Sequence, residues 1–302
     1  MTQVAAEAWS VPPFELTIVL SGDFDASIAD REVGFTPERL GGGTVGGKTT
    51  PVQRDYTVVE VFVDATTADD FDLLAWIHTV LHDYGHVFLG RLRAAAGTRP
   101  PYPTRDQTLP EIGAIWAFET ADEYRCELLS DRLMKAPQKG GVVSSPDSSI
   151  IMNLELVMGD RYRYALADLL GPVVHPGWPD LVGSRLDGDI DVFDMFNRLV
   201  AETGNVLKVV GYADALERTA ERGRILDFAP DHPAVVLYLG PVWSPIARLL
   251  EGGPVIPSLS DFAEVDSRLQ ELGQGIVDMW ERLGVTGYLT DGDVSEVEPP
   301  AR

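Results

Sequence analysis

The arrangement of apolar and polar residues along the chain predicts a small β-containing N-terminal part followed by a mostly helical remainder. Residues 14–20 (FELTIVL) and 56–63 (YTVVEVFV) are rich in β-branched and aromatic side chains, which is typical of strands. Further along, apolar residues recur at helical spacing. The predicted class is therefore α+β, with a short sheet packed on the first long helix. The predicted helices cover 68–96, 110–134, 150–170, 190–203, 206–222, 234–251 and 259–283.

Three of the five histidines lie four residues apart in the helix predicted over 68–96: His78, His82 and His86. Positions four apart share one helix face, so the imidazoles form a stripe. The neighbouring positions are mostly apolar, which predicts burial, and buried imidazoles need polar partners. Two imidazoles at i and i+4 can hold one zinc ion and leave room for a third ligand and a water. At Gly85 the missing side chain would let another segment approach.

A second stripe follows in the helix predicted over 110–134, where Glu119, Glu123, Glu127 and Asp131 are also spaced by four. Like charges at this spacing destabilise an exposed helix modestly. A cation in front of them would reverse that effect. A solvated acidic face is the alternative interpretation.

The two stripes together resemble a known family. The letters HDYGH at 82–86 resemble the HExxH motif of the zincin metallopeptidases, and ELLSDR at 127–132 resembles the E-x-x-A/S-D-R element of their glutamate-ligand branch, the gluzincins. Glu127 follows His86 by 41 residues, within the range of those enzymes. The resemblance extends from the strand at 56–63 to about residue 137.

This resemblance implies a zincin-like fold and a zinc ion bound by His82, His86 and Glu127. Asp131 would then orient one of the two histidines through a hydrogen bond. Glu123 is the alternative third ligand, because E-x-x-C-E at 123–127 also resembles an element of regulatory zincins.

Asp83 stands where the family has its catalytic glutamate. As the general base it would activate the zinc-bound water, although its side chain is one methylene shorter. Two functions follow from this difference: a zinc-dependent peptidase or amidase, or a catalytically weak or inactive zincin-like protein that acts in binding or regulation. His78 has no counterpart in the motif and is expected to contact substrate or water, or to be a core residue.

Two other motifs in the chain resemble known metal or phosphate sites. The pair His82–Asp83 also looks like the HD-type metal phosphohydrolases, but these need a ligand histidine upstream on a different helix, and no histidine precedes His78. The letters GGTVGGKT at 42–49 match the Walker A pattern. A phosphate site needs a strand before it and a helix after it, whereas Pro51 and a strand follow. We interpret this stretch as a flexible glycine loop.

The amino-acid composition limits the classes of molecule that the protein could bind. The net charge of −23 disfavours nucleic acid, and a peptide or small amide remains the expected substrate. The single cysteine, Cys126, excludes an internal disulfide and a Cys-rich zinc site, in keeping with a cytoplasmic protein. Neither a secretory signal nor an apolar run of membrane-spanning length is evident, and the oligomeric state stays open. The predicted organisation is a metal-binding part at 1–137, a helical part at 150–290 and a disordered tail at 291–302.

Overall fold

The protein folds as an α+β structure with a small sheet and many helices. The computed structural model describes residues 10–32, 38–39, 43–44, 46–66, 73–99, 108–139, 153–174, 177–285, 289–290 and 293–294. The strands are β1 (Glu15–Ser21), β2 (Glu38–Arg39), β3 (Gly43–Thr44), β4 (Gly47–Pro51), β5 (Val58–Asp64), β6 (Leu289–Thr290) and β7 (Asp293–Val294). The helices are α1 (Phe24–Ala29), α2 (Leu73–Ala95), α3 (Leu109–Lys139), α4 (Leu154–Leu169), α5 (Gly177–Leu186), α6 (Val192–Thr219), α7 (Gly240–Glu251), α8 (Leu259–Leu272) and α9 (Gln274–Arg282).

The main sheet has the order β1-β5-β4, with β1 parallel and β4 antiparallel to β5. Successive side chains of a strand point to opposite faces. Val59, Val61 and Val63 of β5 accordingly pack on Val87 of α2, while Phe62 packs on the other side against α1. The sheet therefore fixes one side of the helix that carries the histidines.

Helix α3 lies at the centre of the helical part and contacts α2, α6, α8 and α9. Glycines permit two of these close approaches: a Cβ at Gly85 of α2 would meet Cys126, and one at Gly204 of α6 would overlap the ring of Trp116. One hydrophobic core extends from Val11 to Val285. The two parts predicted at 1–137 and 150–290 thus share a continuous interior.

The strands predicted at 14–20 and 56–63 correspond to β1 and β5, and the helices predicted at 68–96 and 110–134 to α2 and α3. Residues 68–72, where the first helix was predicted to start, lie outside the described residues. Of the tail predicted to be disordered, the structure describes only Asp293–Val294, which pair with Leu289–Thr290. None of the described helices is long and apolar enough to span a membrane.

Three predictions about elements were wrong. The helices predicted at 190–203 and 206–222 are one helix, because Gly204 packs on Trp116 instead of ending it. The helix predicted at 259–283 is divided at Gly273, whose backbone lies against Gly113. Of the glycine loop predicted at 42–49, residues 43–44 belong to β3 and residues 47–49 to strand β4. It leads through a turn into β5 and not into a helix, so it lacks the helix N-terminus that a phosphate site uses.

Candidate metal centre

Helices α2 and α3 run antiparallel and bring the histidine stripe against the acidic stripe. His78 meets Glu127 near one end of the contact, and His86 meets Glu123 near the other. The helices approach closely because Gly85 has no side chain, as the sequence suggested. The polar stripes therefore face each other within the interface of α2 and α3, which also contains the ion pair between Arg93 and Asp122.

Three donor atoms converge in what we call the outer cluster: Nε2 of His82, Nε2 of His86 and Oε2 of Glu123. The His82 nitrogen is 2.9 Å from the Glu123 oxygen and 3.1 Å from the His86 nitrogen. The His86 nitrogen is 3.3 Å from the same Glu123 oxygen. The side chain of His86 is 27% exposed, so the outer cluster is open to solvent on that side.

Behind it lies an inner cluster around Glu127, whose side chain is only 1% exposed. Nε2 of His78 is 2.8 Å from Oε2 of Glu127, and the hydroxyl of Tyr162 donates to Oε1 at 2.6 Å. Nδ1 of His82 is 2.9 Å from the same Oε1, but it is poorly aligned for a hydrogen bond. That contact is therefore electrostatic. His82 thus lies between two carboxylates, one on each side of its ring.

The charged side chains of the two clusters stabilise one another's ionised forms. Burial by itself would lower the pKa of His82, but Glu127 and Glu123 outweigh it and raise the pKa to about 10. Burial would raise the pKa of Glu123, but His86 and His82 hold it well below its usual range. The same holds for Glu127: burial would raise its pKa, but the neighbouring His78 and His82 lower it. Both carboxylates are therefore ionised at neutral pH.

The outer cluster fits a zinc ion. Tetrahedral zinc with ligand bonds of about 2.0–2.1 Å holds its ligand atoms about 3.3–3.4 Å apart. The observed separations of 2.9, 3.1 and 3.3 Å approach that spacing. Hydrogen bonding alone explains the cluster poorly, because Nε2 of His82 faces both Glu123 and His86 and a ring nitrogen has only one N–H to direct.

Asp83 faces strand β4. Oγ1 of Thr49 donates to its Oδ1 at 3.0 Å and lies 3.1 Å from its backbone oxygen. A Cβ at Gly47 would overlap its Oδ2, so the strand passes directly over the carboxylate. Burial raises the pKa of Asp83, although the neighbouring His82 and His86 oppose that shift.

Asp131 has contacts other than the one expected of it. Its Oδ2 is 2.6 Å from Nζ of Lys135, and its Oδ1 accepts the backbone N–H of Leu154 at 3.0 Å. Oδ1 thus ties α3 to the start of α4, whereas the contact of Oδ2 with Lys135 lies within α3. Neither contact is with the imidazoles that Asp131 was expected to orient.

Three residues near the site had not been predicted from the sequence to lie there. Cys126 could have been found, because it follows Glu123 by three residues and shares its helix face. Tyr162 of α4 and Lys208 of α6 had no local signal. The ammonium of Lys208 is 2.7 Å from Oε2 of Glu119 and 3.8 Å from Oε1 of Glu123.

Comparisons with known proteins assign the chain to no family. No protein-family model matches the chain, and neither a curated protein nor a solved structure is significantly similar to it.

Proposed function

We propose that this protein is a zinc-dependent hydrolase of the zincin type that cleaves a peptide or another amide bond. The observation that supports the proposal is the outer cluster, in which two imidazole nitrogens and a carboxylate oxygen lie 2.9–3.3 Å from one another. His82, His86 and Glu123 would hold the ion. The third ligand is thereby moved from Glu127, which the sequence favoured, to Glu123.

The inner cluster would support His82 from behind. A ligand histidine usually has its second nitrogen beside a carboxylate, which fixes the ring and makes it a better donor. Glu127 occupies that position, and Tyr162 and His78 in turn hold Glu127. Truncating any of these supports would disturb the ring orientation of His82.

Zinc, when bound, would polarise the scissile carbonyl and lower the pKa of a water molecule toward about 7. Asp83 would accept the proton of the attacking water, and the hydroxyl of Thr49 would hold the carboxylate in place. Its raised pKa moves the carboxyl toward the working range of a general base. The substrate would enter on the side where His86 is exposed.

A second candidate is a zincin-like protein that binds zinc without turnover. The enclosure of Asp83 by β4 favours it, because a carboxylate covered by Gly47 and bonded to Thr49 is also well suited to joining the helix to the sheet. The HD-type alternative has no comparable support. In the described part of the chain the Asp83 carboxylate faces Thr49 and Gly47 of β4. It belongs neither to the outer cluster nor to the donor groups His82–His86–Cys126 and His78–His82–Glu127.

Metal content and turnover measured on the same preparations test the proposal. Untagged protein should contain zinc near one equivalent, and the His82→Ala and His86→Ala variants should contain almost none. A matched control is His232→Ala, because this histidine lies elsewhere and accepts the N–H of Ala234. Wild-type protein that holds no divalent metal and cannot be reloaded would refute the metal site. Zinc-loaded protein that is inert toward a broad peptide library would leave the second candidate.

A further inference from the structure

A buried thiol lies beside the outer cluster. Sγ of Cys126, one ring nitrogen of His82 and one of His86 are all within 4.8 Å of one another. The cysteine side chain has no exposed surface. Two different donors of α3, the Glu123 carboxylate and the Cys126 thiol, therefore approach the same pair of imidazoles.

The placement follows from the geometry of the two helices. Residues three apart on a helix are neighbours on its surface, so Glu123 and Cys126 face α2 together. On α2, His82 and His86 flank Gly85 on the same face. Because Gly85 has no Cβ, Cys126 reaches the space between the two imidazoles, where a larger residue at position 85 would exclude it.

We propose that Cys126 is a ligand of the metal, together with His82, His86 and Glu123. This inference rests on the proposed zinc site and adds a fourth protein donor to it. Thiolate is among the strongest zinc ligands, and a site with four protein donors is closed. Binding would transfer the thiol proton to solvent as the sulfur–metal bond forms, with no change in the oxidation state of either partner.

A closed resting site has a consequence for the proposed hydrolase. Catalytic zinc sites keep one position for water, whereas sites with four protein ligands are typically structural. Cys126 would therefore hold the resting protein in a low-activity state, and turnover would require the thiolate to withdraw. Replacing the sulfur by a weaker donor should raise turnover and weaken metal binding.

Cobalt substitution tests the proposal directly. Cobalt(II) bound to a thiolate gives a sulfur-to-metal charge-transfer band in the near ultraviolet, and Cys126 is the only cysteine in the chain, so the band has one possible source. The full-length protein, Cys126→Ser and Cys126→Ala should be stripped of metal and titrated with Co²⁺. Circular dichroism and thermal melts on each variant check the fold, and serine is small enough for the close contact at Gly85.

We expect one equivalent of cobalt in all three proteins and the charge-transfer band only in the wild type. Zinc affinity should fall at least about tenfold in Cys126→Ser. X-ray absorption of the zinc-loaded wild type should show a sulfur neighbour at about 2.3 Å. Stoichiometric cobalt without the band would overturn the role of Cys126 and leave the proposed His82–His86–Glu123 site intact. Failure of the wild type to bind any metal would overturn both.

Discussion

Gly85 of α2 lies against Cys126 of α3 so closely that a Cβ at position 85 would be 2.8 Å from the cysteine Sγ. It would also be 2.9 Å from the Cα of the same residue, so the obstacle includes backbone that cannot rotate away. This contact fixes how far the two helices slide along each other. It therefore decides which glutamate meets which histidine.

The first prediction follows from that contact. Gly85→Ala should lower the melting temperature and weaken zinc binding, because overpacking typically costs about 1–3 kcal/mol and should outweigh the gain of about 1 kcal/mol in helix propensity. Gly183→Ala is the matched control, since a Cβ at that helical position has no neighbour within 4 Å and should stabilise the protein. Thermal melts and zinc titrations measure both effects. Equal stability of Gly85→Ala and wild type would show that the helices are free to separate.

The second prediction concerns the two carboxylates beside His82. Glu123→Gln should weaken zinc binding more than Glu127→Gln does, because Glu123 supplies the donor atom of the outer cluster. Loss of a supporting carboxylate should weaken binding about 10- to 100-fold. Glu127→Gln should instead cost more stability in the metal-free protein, since an amide oxygen replaces a carboxylate that His78 and Tyr162 contact.

Glu119→Gln is the control for this pair of variants, because Glu119 belongs to the same stripe but its side chain is 41% exposed. It should change zinc affinity little. Zinc titrations of the three variants and chemical unfolding of their metal-free forms provide the readings. If Glu127→Gln weakens zinc more than Glu123→Gln, the ligand assignment drawn from the sequence was the right one.

The third prediction concerns pH. In the metal-free protein the pKa of His82 is raised to about 10, so the ring carries a proton at neutral pH. Zinc binds the neutral imidazole, and binding below about pH 10 must therefore release that proton. The apparent zinc affinity should rise with pH, by about tenfold per pH unit for each proton released.

Calorimetric titrations at pH 7 in buffers of different ionisation enthalpy count the protons released. At least one should be released per zinc in the wild type, and a thiol ligand would add another. Cys126→Ser should then release one fewer. A proton count of zero would contradict the charge state assigned to His82.

The fourth prediction separates the possible roles of Asp83. If it is the general base, Asp83→Asn should retain zinc and fold but lose about 100-fold or more in rate. Thr49→Val, which removes the hydrogen bond to Oδ1, should lower the rate less. If Asp83 only joins α2 to β4, both variants should lower the melting temperature without altering any turnover. Direct loss of zinc in Asp83→Asn would instead indicate that Asp83 is a ligand.

The sequence predicted the stripes well because they are local. Spacing of four residues places His78, His82 and His86 on one face in any α-helix, and the same holds for the acidic residues of α3. The two long strands were also evident, since β5 consists largely of β-branched and aromatic residues and β1 contains three β-branched residues in succession. These features depend on no distant part of the chain.

The sequence could not predict in the same way which glutamate of α3 meets which histidine of α2. A displacement of α3 by one helical turn exchanges Glu123 for Glu127, and that displacement is set by the contact of Gly85 with Cys126. The strand β4 was missed for a similar reason, because Gly47 and Lys48 favour a loop until β5 provides hydrogen-bond partners. Gly204 likewise looked like the end of a helix, although packing on Trp116 keeps α6 continuous.

The antiparallel pairing of α2 and α3 also bears on how the protein folds. The proposed donors all belong to two helices that follow each other in the chain. Metal binding contributes free energy to folding wherever its ligands are assembled. Zinc bound between α2 and α3 is therefore expected to stabilise this helical hairpin. Tyr162 is 35 residues from Glu127, whereas His82 and Glu123 are 41 residues apart, so α4 belongs to the same local unit of the chain as the hairpin. Metal binding and the packing of α4 should therefore stabilise each other, and removal of the ion should loosen both.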